Sequence, residues 1–544
     1  MNTQNTPIDS FINHKADTGM QCGNYSIDIP ELKEGEQYRF HFDATACVGC
    51  HCCEAACNEQ NNNDAEIKWR RVGEMEAGVF PQTSQLFNSM SCNHCIEPEC
   101  LIGCPTESYI KLDNGIVFHD DDSCIGCQYC TWNCPYEVPV FNEDRGIVTK
   151  CHMCVDKLEV GETPSCVQAC PAGAIEIEVV NKEEWIKNDM AKDGVAPHLP
   201  DINITKPTTR YTLPDNIREQ NFKPADDHIT KPAHSELPLV FMTILTQMSV
   251  GAMVALGLGE TLSLVGFNNL ATGNLWLSLF IILPALIGLP LSALHLGRPL
   301  LAHTAMKNWR NSWLSREALA LGLYAGFGVT LAFAYFIESS FLIFISMIGA
   351  VVSGVFGIYA QSMIYRIKAR PSWNKESTTK RFLTTGYLGL MLISLILVIQ
   401  GFYASSMAIL SLTMLMSAYQ VLVIHEEKTF YKYLNEDETN YYQLNKTKYL
   451  LENNFKKHFK FRFLSLIISS VVLPMFIILL LANNSIDNAL IFLFVALVAS
   501  SISELIGRYL FYVTVVPLGL AGNFFAGNQR GRDYKQNGKK DSHV

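Results

Sequence analysis

Sixteen cysteines fall into four groups whose spacing leaves few folds open. Cys47, Cys50, Cys53 and Cys57 follow C-x2-C-x2-C-x3-C, and Cys124, Cys127, Cys130 and Cys134 repeat that pattern. Cys92, Cys95, Cys100 and Cys104 widen the middle interval to four residues; Cys151, Cys154, Cys166 and Cys170 widen it to eleven. Three thiolates at short intervals wrap one face of an iron–sulfur cubane, and the fourth leaves along the chain to ligate the other cluster of a pair. The last three groups end in Cys-Pro, at Pro105, Pro135 and Pro171, where proline stops a helix from continuing. The first ends Cys57-Asn58 instead. Zinc is the competing reading, because C-x2-C pairs also form zinc knuckles. It explains neither the triplets nor the Cys-Pro endings. Sixteen ligands therefore predict four 4Fe-4S clusters, with Cys22 and Cys52 as spectator thiols.

Four one-electron carriers in one small domain form a wire between two redox sites. No stretch of this half carries a substrate pocket motif, so the catalytic chemistry is expected on a separate subunit. Charge and hydropathy then divide the 544-residue chain. Residues 1–236 hold 38 acidic and 18 basic side chains; residues 237–544 hold 14 and 24, and no cysteine. An acidic first half excludes nucleic acid as a partner, since phosphate binding needs clustered Lys and Arg. The N-terminal stretch shows no basic region followed by an apolar one, so export of the cysteine domain is not expected. In a reducing compartment the cysteines are ligands, not disulfides. Arg70-Arg71 lies too deep to be a twin-arginine signal and reads as an ordinary surface pair.

Seven prolines between 195 and 238 mark an extended strap, either a tether or a wrap around a partner. Eight apolar stretches follow, each long enough to cross a bilayer as a helix: 239–259, 275–295, 318–337, 341–364, 383–402, 404–424, 463–482 and 489–512. All 24 basic residues of this half fall on alternate loops or on the eighth span and the tail. The positive-inside rule then puts both termini and the cysteine domain on the cytoplasmic side of the inner membrane. The expected fold is an α+β ferredoxin-like double dicluster domain followed by an all-α eight-helix transmembrane bundle. Its expected boundaries are an extension (1–37), the cluster domain (38–194), the linker (195–236), the anchor (237–525) and a basic tail (526–544).

The second to fourth cysteine groups resemble the four-cluster iron–sulfur subunit of dimethyl sulfoxide reductase-type molybdoenzymes, over about residues 38–180. The membrane half resembles the anchor subunit of the same enzymes, over 236–525. There the resemblance is carried by Glu236-Leu-Pro-Leu239, His295-Leu-Gly-Arg-Pro299, Leu314-Ser-Arg-Glu317 and Glu504-Leu-Ile-Gly-Arg508 with Phe511-Tyr512. The resemblance implies a pairing of ligands. Cys47, Cys50, Cys53 and Cys170 would hold a first cluster, and Cys57, Cys151, Cys154 and Cys166 a second. Cys92, Cys95, Cys100 and Cys134 would hold a third, and Cys104, Cys124, Cys127 and Cys130 a fourth. Some relatives carry Trp at the second position of the third group; here it is Cys127, which implies a full cubane. The resemblance also implies a molybdopterin-containing catalytic subunit as partner, anaerobic respiration as the setting, and a menaquinol site at His295 and Glu317. The best-studied relatives are drawn with the catalytic side outside the cytoplasm, whereas the charges here point inward.

Quinol oxidation releases two protons with two electrons, and a His and a carboxylate near a helix end can accept those protons. The competing readings are a polar His295 snorkelling to the interface and a Glu317 paired with Arg316. Glu504 and Arg508, four apart on one helix, can neutralise each other. Gln247 either bonds across helices or touches quinone. His303 and His425 read as solvated loop residues, and Trp309, Trp313 and Trp373 as an interfacial belt. The expected function is electron relay between the membrane quinone pool and the catalytic subunit. Two alternatives stand beside it: the same wiring reversed, from a cytoplasmic donor such as sulfite to quinone, and a redox-sensing transporter. The last needs only one cluster, and the spans lack paired broken helices.

Overall fold

The computed structural model describes residues 32–215, 217, 220–264 and 273–519. Cys22, most of the 1–37 extension and the 526–544 tail lie outside them.

Alternating aromatic residues build the first sheet. In β1 (Glu36–Asp43), Phe40 and Phe42 point into the core at 3% and 1% exposure. The other strands are β2 (Arg71–Val79), β3 (Gln82–Met90), β4 (Tyr109–Lys111), β5 (Val117–His119), β6 (Val140–Asn142), β7 (Ile147–Thr149), β8 (Ile175–Asn181), β9 (Arg210–Thr212) and β10 (Lys223–Pro224). Strand β8 pairs antiparallel to β1, from Glu36↔Asn181 to Phe42↔Ile175. Strands β2 and β3 form a long hairpin, while β4–β5 and β6–β7 are short ones. The cysteine groups occupy the turns and short helices between these strands. This is a small mixed α/β domain rich in cysteine.

The proline-rich strap is more than a tether. Its β9 adds in parallel to β1, and its β10 adds to β2. Thr208 accepts a hydrogen bond from Gln37 and donates one to the Asn93 carbonyl (2.8 Å). The strap is therefore sewn into the cluster domain before it enters the membrane half.

Among the described residues, eight helices long and apolar enough to cross a membrane follow: Leu237–Thr261, Leu275–Ala293, Trp313–Phe336, Ser340–Tyr365, Glu376–Ile399, Tyr403–Lys432, Lys456–Ala482 and Ile486–Val513. Their number matches the expectation, and several run past the expected ends. The sixth continues to Lys432, so His425 is an exposed helical residue rather than a loop one. The first and fifth spans meet backbone to backbone. A Cβ on Gly251 would stand 2.0 Å from the Gly386 carbonyl oxygen, so no larger residue fits without separating the helices.

Several single-residue expectations are corrected. Arg70 and Arg71 are buried, not on the surface. Trp373 is also buried, stacked on Phe511 at 5.1 Å with its indole N–H donated to the Phe511 carbonyl. Of the three, Trp309 is half exposed, as a belt residue would be. Glu504 and Arg508 do not pair with each other. Glu504 accepts from Gln420 (2.7 Å) and Tyr387 and lies 3.9 Å from Arg462, while Arg508 donates to Gln247 (3.0 Å). Packing places those partners closer than the i,i+4 neighbour. Arg316 donates to the carbonyls of Trp309 and Arg310 and leaves Glu317 to another partner.

Candidate functional site

One local turn recurs in all four cysteine groups. The residue just before the second cysteine has a positive φ each time: Gly49, His94, Gly126 and Met153. This conformation is costly for a non-glycine residue, yet it turns an amide toward the first sulfur. His94, Gly126 and Met153 donate to the sulfurs of Cys92, Cys124 and Cys151 at 3.3–3.4 Å. Ser108 and Ala174 donate to Cys104 and Cys170 at 3.3 and 3.2 Å. Amides aimed at sulfur stabilise thiolates and set the potential of any cluster they hold.

The turns gather the cysteines into four sets. Cys47, Cys50, Cys53 and Cys170 line one cavity, and Cys57, Cys151, Cys154 and Cys166 line another. Cys92, Cys95, Cys100 and Cys134 lie within electrostatic range of one another, as do Cys104, Cys124, Cys127 and Cys130. These are the four groupings that the family pairing implies. Tetrahedral zinc would bring its sulfurs to about 3.8 Å from one another, given a Zn–S bond near 2.3 Å. Among the described residues no three cysteine sulfurs lie within 4.8 Å of each other, a spread that suits a larger cluster. Cys52 is exposed beside Cys50 and does not line the cavity of the first set.

The fourth set docks on the membrane helices. Arg298 and Gly297 donate their amides to the carbonyls of Ile125 and Gly126. Asn308 donates to the Cys104 carbonyl (2.9 Å), and Ser312 to that of Gly103 (2.7 Å). On the other flank the buried Arg370 pairs with Glu137 (3.1 Å) and reaches the Thr131 carbonyl. Trp132, between Cys130 and Cys134, enters the bundle end. Its ring lies 6.1 Å from His295, 6.0 Å from Tyr365 and 5.4 Å from Trp373. A cleft of about 980 Å³ opens beside this contact, lined by Trp132, Glu236, Arg370 and Tyr512 among others.

His295 is buried and does not snorkel. Its Nδ1 lies 2.8 Å from Glu236, and its Nε2 is buried without a hydrogen-bond partner. Glu236 also meets the exposed His234 at 3.3 Å. Burial alone would raise the Glu236 carboxyl, but hydrogen bonds to the two histidines outweigh it and bring it down to about 2. Glu317 takes a different environment. It accepts from Gln361 (2.8 Å), whose carbonyl oxygen accepts from Gln247, which in turn accepts from Arg508. His295 and Glu317 thus share no direct contact. Tyr512 lies within electrostatic range of both Glu236 and Glu317, and its hydroxyl bonds that of Tyr365. Gln247 is a cross-helix hydrogen-bonding residue, and His303 is exposed.

Sequence reasoning missed Trp132, Gln361 and the role of Glu236. Gln361 carried a readable signal, an amide deep in an apolar span. Trp132 had only its position between two ligand candidates.

A family model described as DMSO reductase anchor subunit (DmsC) matches residues 231–514, just over half of the chain. The protein belongs to the dimethyl sulfoxide reductase anchor-subunit family. A second model, a 4Fe-4S dicluster domain, matches residues 83–180. The first part is similar to a chain of the anaerobic dimethyl sulfoxide reductase of Escherichia coli, 37% identical over 179 residues, with 31% of this chain and 86% of that relative covered. The corresponding Haemophilus influenzae reductase chain is 35% identical over 181 residues, with 32% and 87% covered. A sulfite dehydrogenase subunit of Allochromatium vinosum is 38% identical over 207 residues, with 34% and 85% covered. The protein is thus a fusion of two types: an electron-transfer iron–sulfur domain joined to a multi-pass membrane anchor. Its likeness to the reductase chains implies a complex with a catalytic subunit.

Proposed function

We propose that this chain oxidises membrane quinol, menaquinol in the first instance, at a site built on His295 and Glu317. Electrons then pass through four 4Fe-4S clusters, held by the sixteen grouped cysteines, to a molybdopterin-containing catalytic subunit. One observation carries the reading. The fourth cysteine set sits on the loops that grip the membrane helices, and Trp132 bridges that set to His295 at 6.1 Å. The clusters, when bound, supply one-electron carriers; the side chains bind the quinol and manage its protons. With Glu236 holding Nδ1, the buried Nε2 of His295 is free to accept a quinol proton. Glu317, buried with a single amide donor, is the second acceptor. Glu236 and the exposed His234 continue from His295 toward the cleft.

The exit is the first set, where Cys50 is exposed and Val48 stands 64% exposed beside it. That surface is the place for the catalytic subunit to dock. The units serving these roles are the cluster domain (38–194), the linker (195–236), the anchor (237–525) and the flanking extension and tail. The cluster domain lies against the bundle end that carries the basic loops, which supports a cytoplasmic orientation. Similarity to the sulfite dehydrogenase subunit supports a second reading, the same path run from a donor such as sulfite to quinone. The catalytic protein that co-purifies in mild detergent separates the two.

The test uses the full chain in detergent. His295→Ala and Glu317→Gln are each expected to slow reduction of the clusters by a menaquinol analogue at least 10-fold, with unchanged iron content and unchanged reduction by dithionite. Wild-type rates in both variants would remove the quinol site.

A further inference from the structure

Arg70 is a fully buried cation with no carboxylate beside it among the described residues. It is 2% exposed, and its guanidinium donates to the Ser89 carbonyl and hydroxyl (3.3 and 3.2 Å) and the Ser91 hydroxyl (2.9 Å), and reaches the Cys166 sulfur. The guanidinium carbon lies 4.5 Å over the Phe40 ring, and Nε has no hydrogen-bond partner. An uncompensated buried charge is among the costliest features a fold can carry. The groups that offer compensation are sulfurs. Cys166, Cys53, Cys151 and Cys57 act on Arg70, Cys166 most strongly. Cys53 belongs to the first set and the other three to the second, so the cation stands at their junction.

The next junction repeats the device. Lys150 is 3% exposed and donates to the carbonyls of Val117 and Cys151, the latter at 2.7 Å. Among the described residues it too has no carboxylate partner, and it acts on Cys92 and Cys100 of the third set. At the third junction the buried group is neutral. Tyr109 lies among Cys100, Cys104 and Cys130.

We propose that Arg70 and Lys150 are the countercharges of the wire, each placed between two consecutive clusters and each raising the reduction potential of both. A cubane held by four thiolates is an anion and becomes more negative when reduced. A fixed cation in a low-dielectric interior therefore favours the reduced form, and does so for both clusters it faces. It also weakens the repulsion between two reduced neighbours, so that a second electron can enter while the first is still in the wire.

This rests on reading the sixteen cysteines as cluster ligands, which the iron content of the unaltered chain tests separately. The experiment is a redox titration of the full chain in detergent, followed by low-temperature paramagnetic resonance. Arg70→Gln is expected to lower the midpoints of two of the four clusters and leave the other two. Lys150→Met is expected to lower two, one of them shared with the Arg70 pair. Arg70→Lys, which keeps the charge, is expected to load iron and to stay near the unaltered midpoints. Four unchanged midpoints in iron-replete Arg70→Gln or Lys150→Met would overturn the proposal. So would an Arg70→Lys midpoint shift as large as that of Arg70→Gln. Should Arg70→Gln not load iron, Lys150→Met and Arg70→Lys decide the matter.

Discussion

At the scale of single residues, the contact between the two halves rests on the absence of a side chain. Gly126 and Gly146, both at positive φ, face Gly297, and a Cβ on Gly297 would stand 2.1 Å from the Gly146 carbonyl oxygen. The obstacle is backbone on both sides, so Gly297→Ala must push the fourth cysteine set away from the bundle; overpacking of this kind costs about 1–3 kcal/mol or more. The expected result is full iron content with a markedly slower quinol-driven reduction of the clusters, measured by stopped-flow absorbance. A second residue-scale prediction concerns Glu504. Removing a carboxylate that serves Gln420, Tyr387 and Arg462 leaves a buried cation uncompensated, which costs about 3–5 kcal/mol. Glu504→Ala should therefore lower the thermal midpoint of the detergent-solubilised chain far more than Glu338→Ala at an interhelical turn. The sixteen cysteines were legible because chemistry sets their spacing. Arg70 was not, since two adjacent arginines look alike on a surface and in a core; only the fold shows that sulfurs surround one of them.

At the scale of elements, the strap shows where local reading stops. Prolines and few apolar residues describe an irregular segment correctly, but β9 is three residues long and its partner β1 lies some 170 positions earlier. No local periodicity reports a pairing of that kind. Its anchors are charged: Arg210 pairs with Glu178, which also takes Arg39 at 2.9 Å, and Lys206 pairs with Glu97. Both basic residues are engaged in structure, and Arg210, followed by Tyr211, is also a trypsin site in sequence. Limited trypsin digestion of the native chain should therefore spare the Arg210–Tyr211 bond, and heat or denaturant should expose it; rapid native cleavage there would restore the tether. The spans, by contrast, were legible in number and place, because a bilayer demands length and apolarity, though several helices run on past the apolar stretch. Their polar interior was less so. Gln247, Gln361 and Glu317 come from three helices, and only packing makes them one network.

At the scale of the whole molecule, topology and chemistry constrain each other. The loops at 298–316 and 366–381 are both basic and both grip the cluster domain, so if their charge orients the anchor it also fixes the side on which the wire lies. On the proposed reading, quinol protons leaving by His295 and Glu236 would emerge on that side, and the catalytic subunit would work there too. The membrane half contains no cysteine, which permits a direct test. Asn483 lies on the turn between the seventh and eighth spans, at the end away from the cluster domain, and is exposed. Asn483→Cys should react with a membrane-impermeant maleimide in intact cells, while the unaltered chain, whose exposed Cys50 and Cys52 would face the cytoplasm, should react only after permeabilisation. If the unaltered chain is labelled in intact cells and Asn483→Cys adds nothing, the cluster domain lies outside. Positive charge would then have failed to set the orientation, and a terminal acceptor outside the cell would follow.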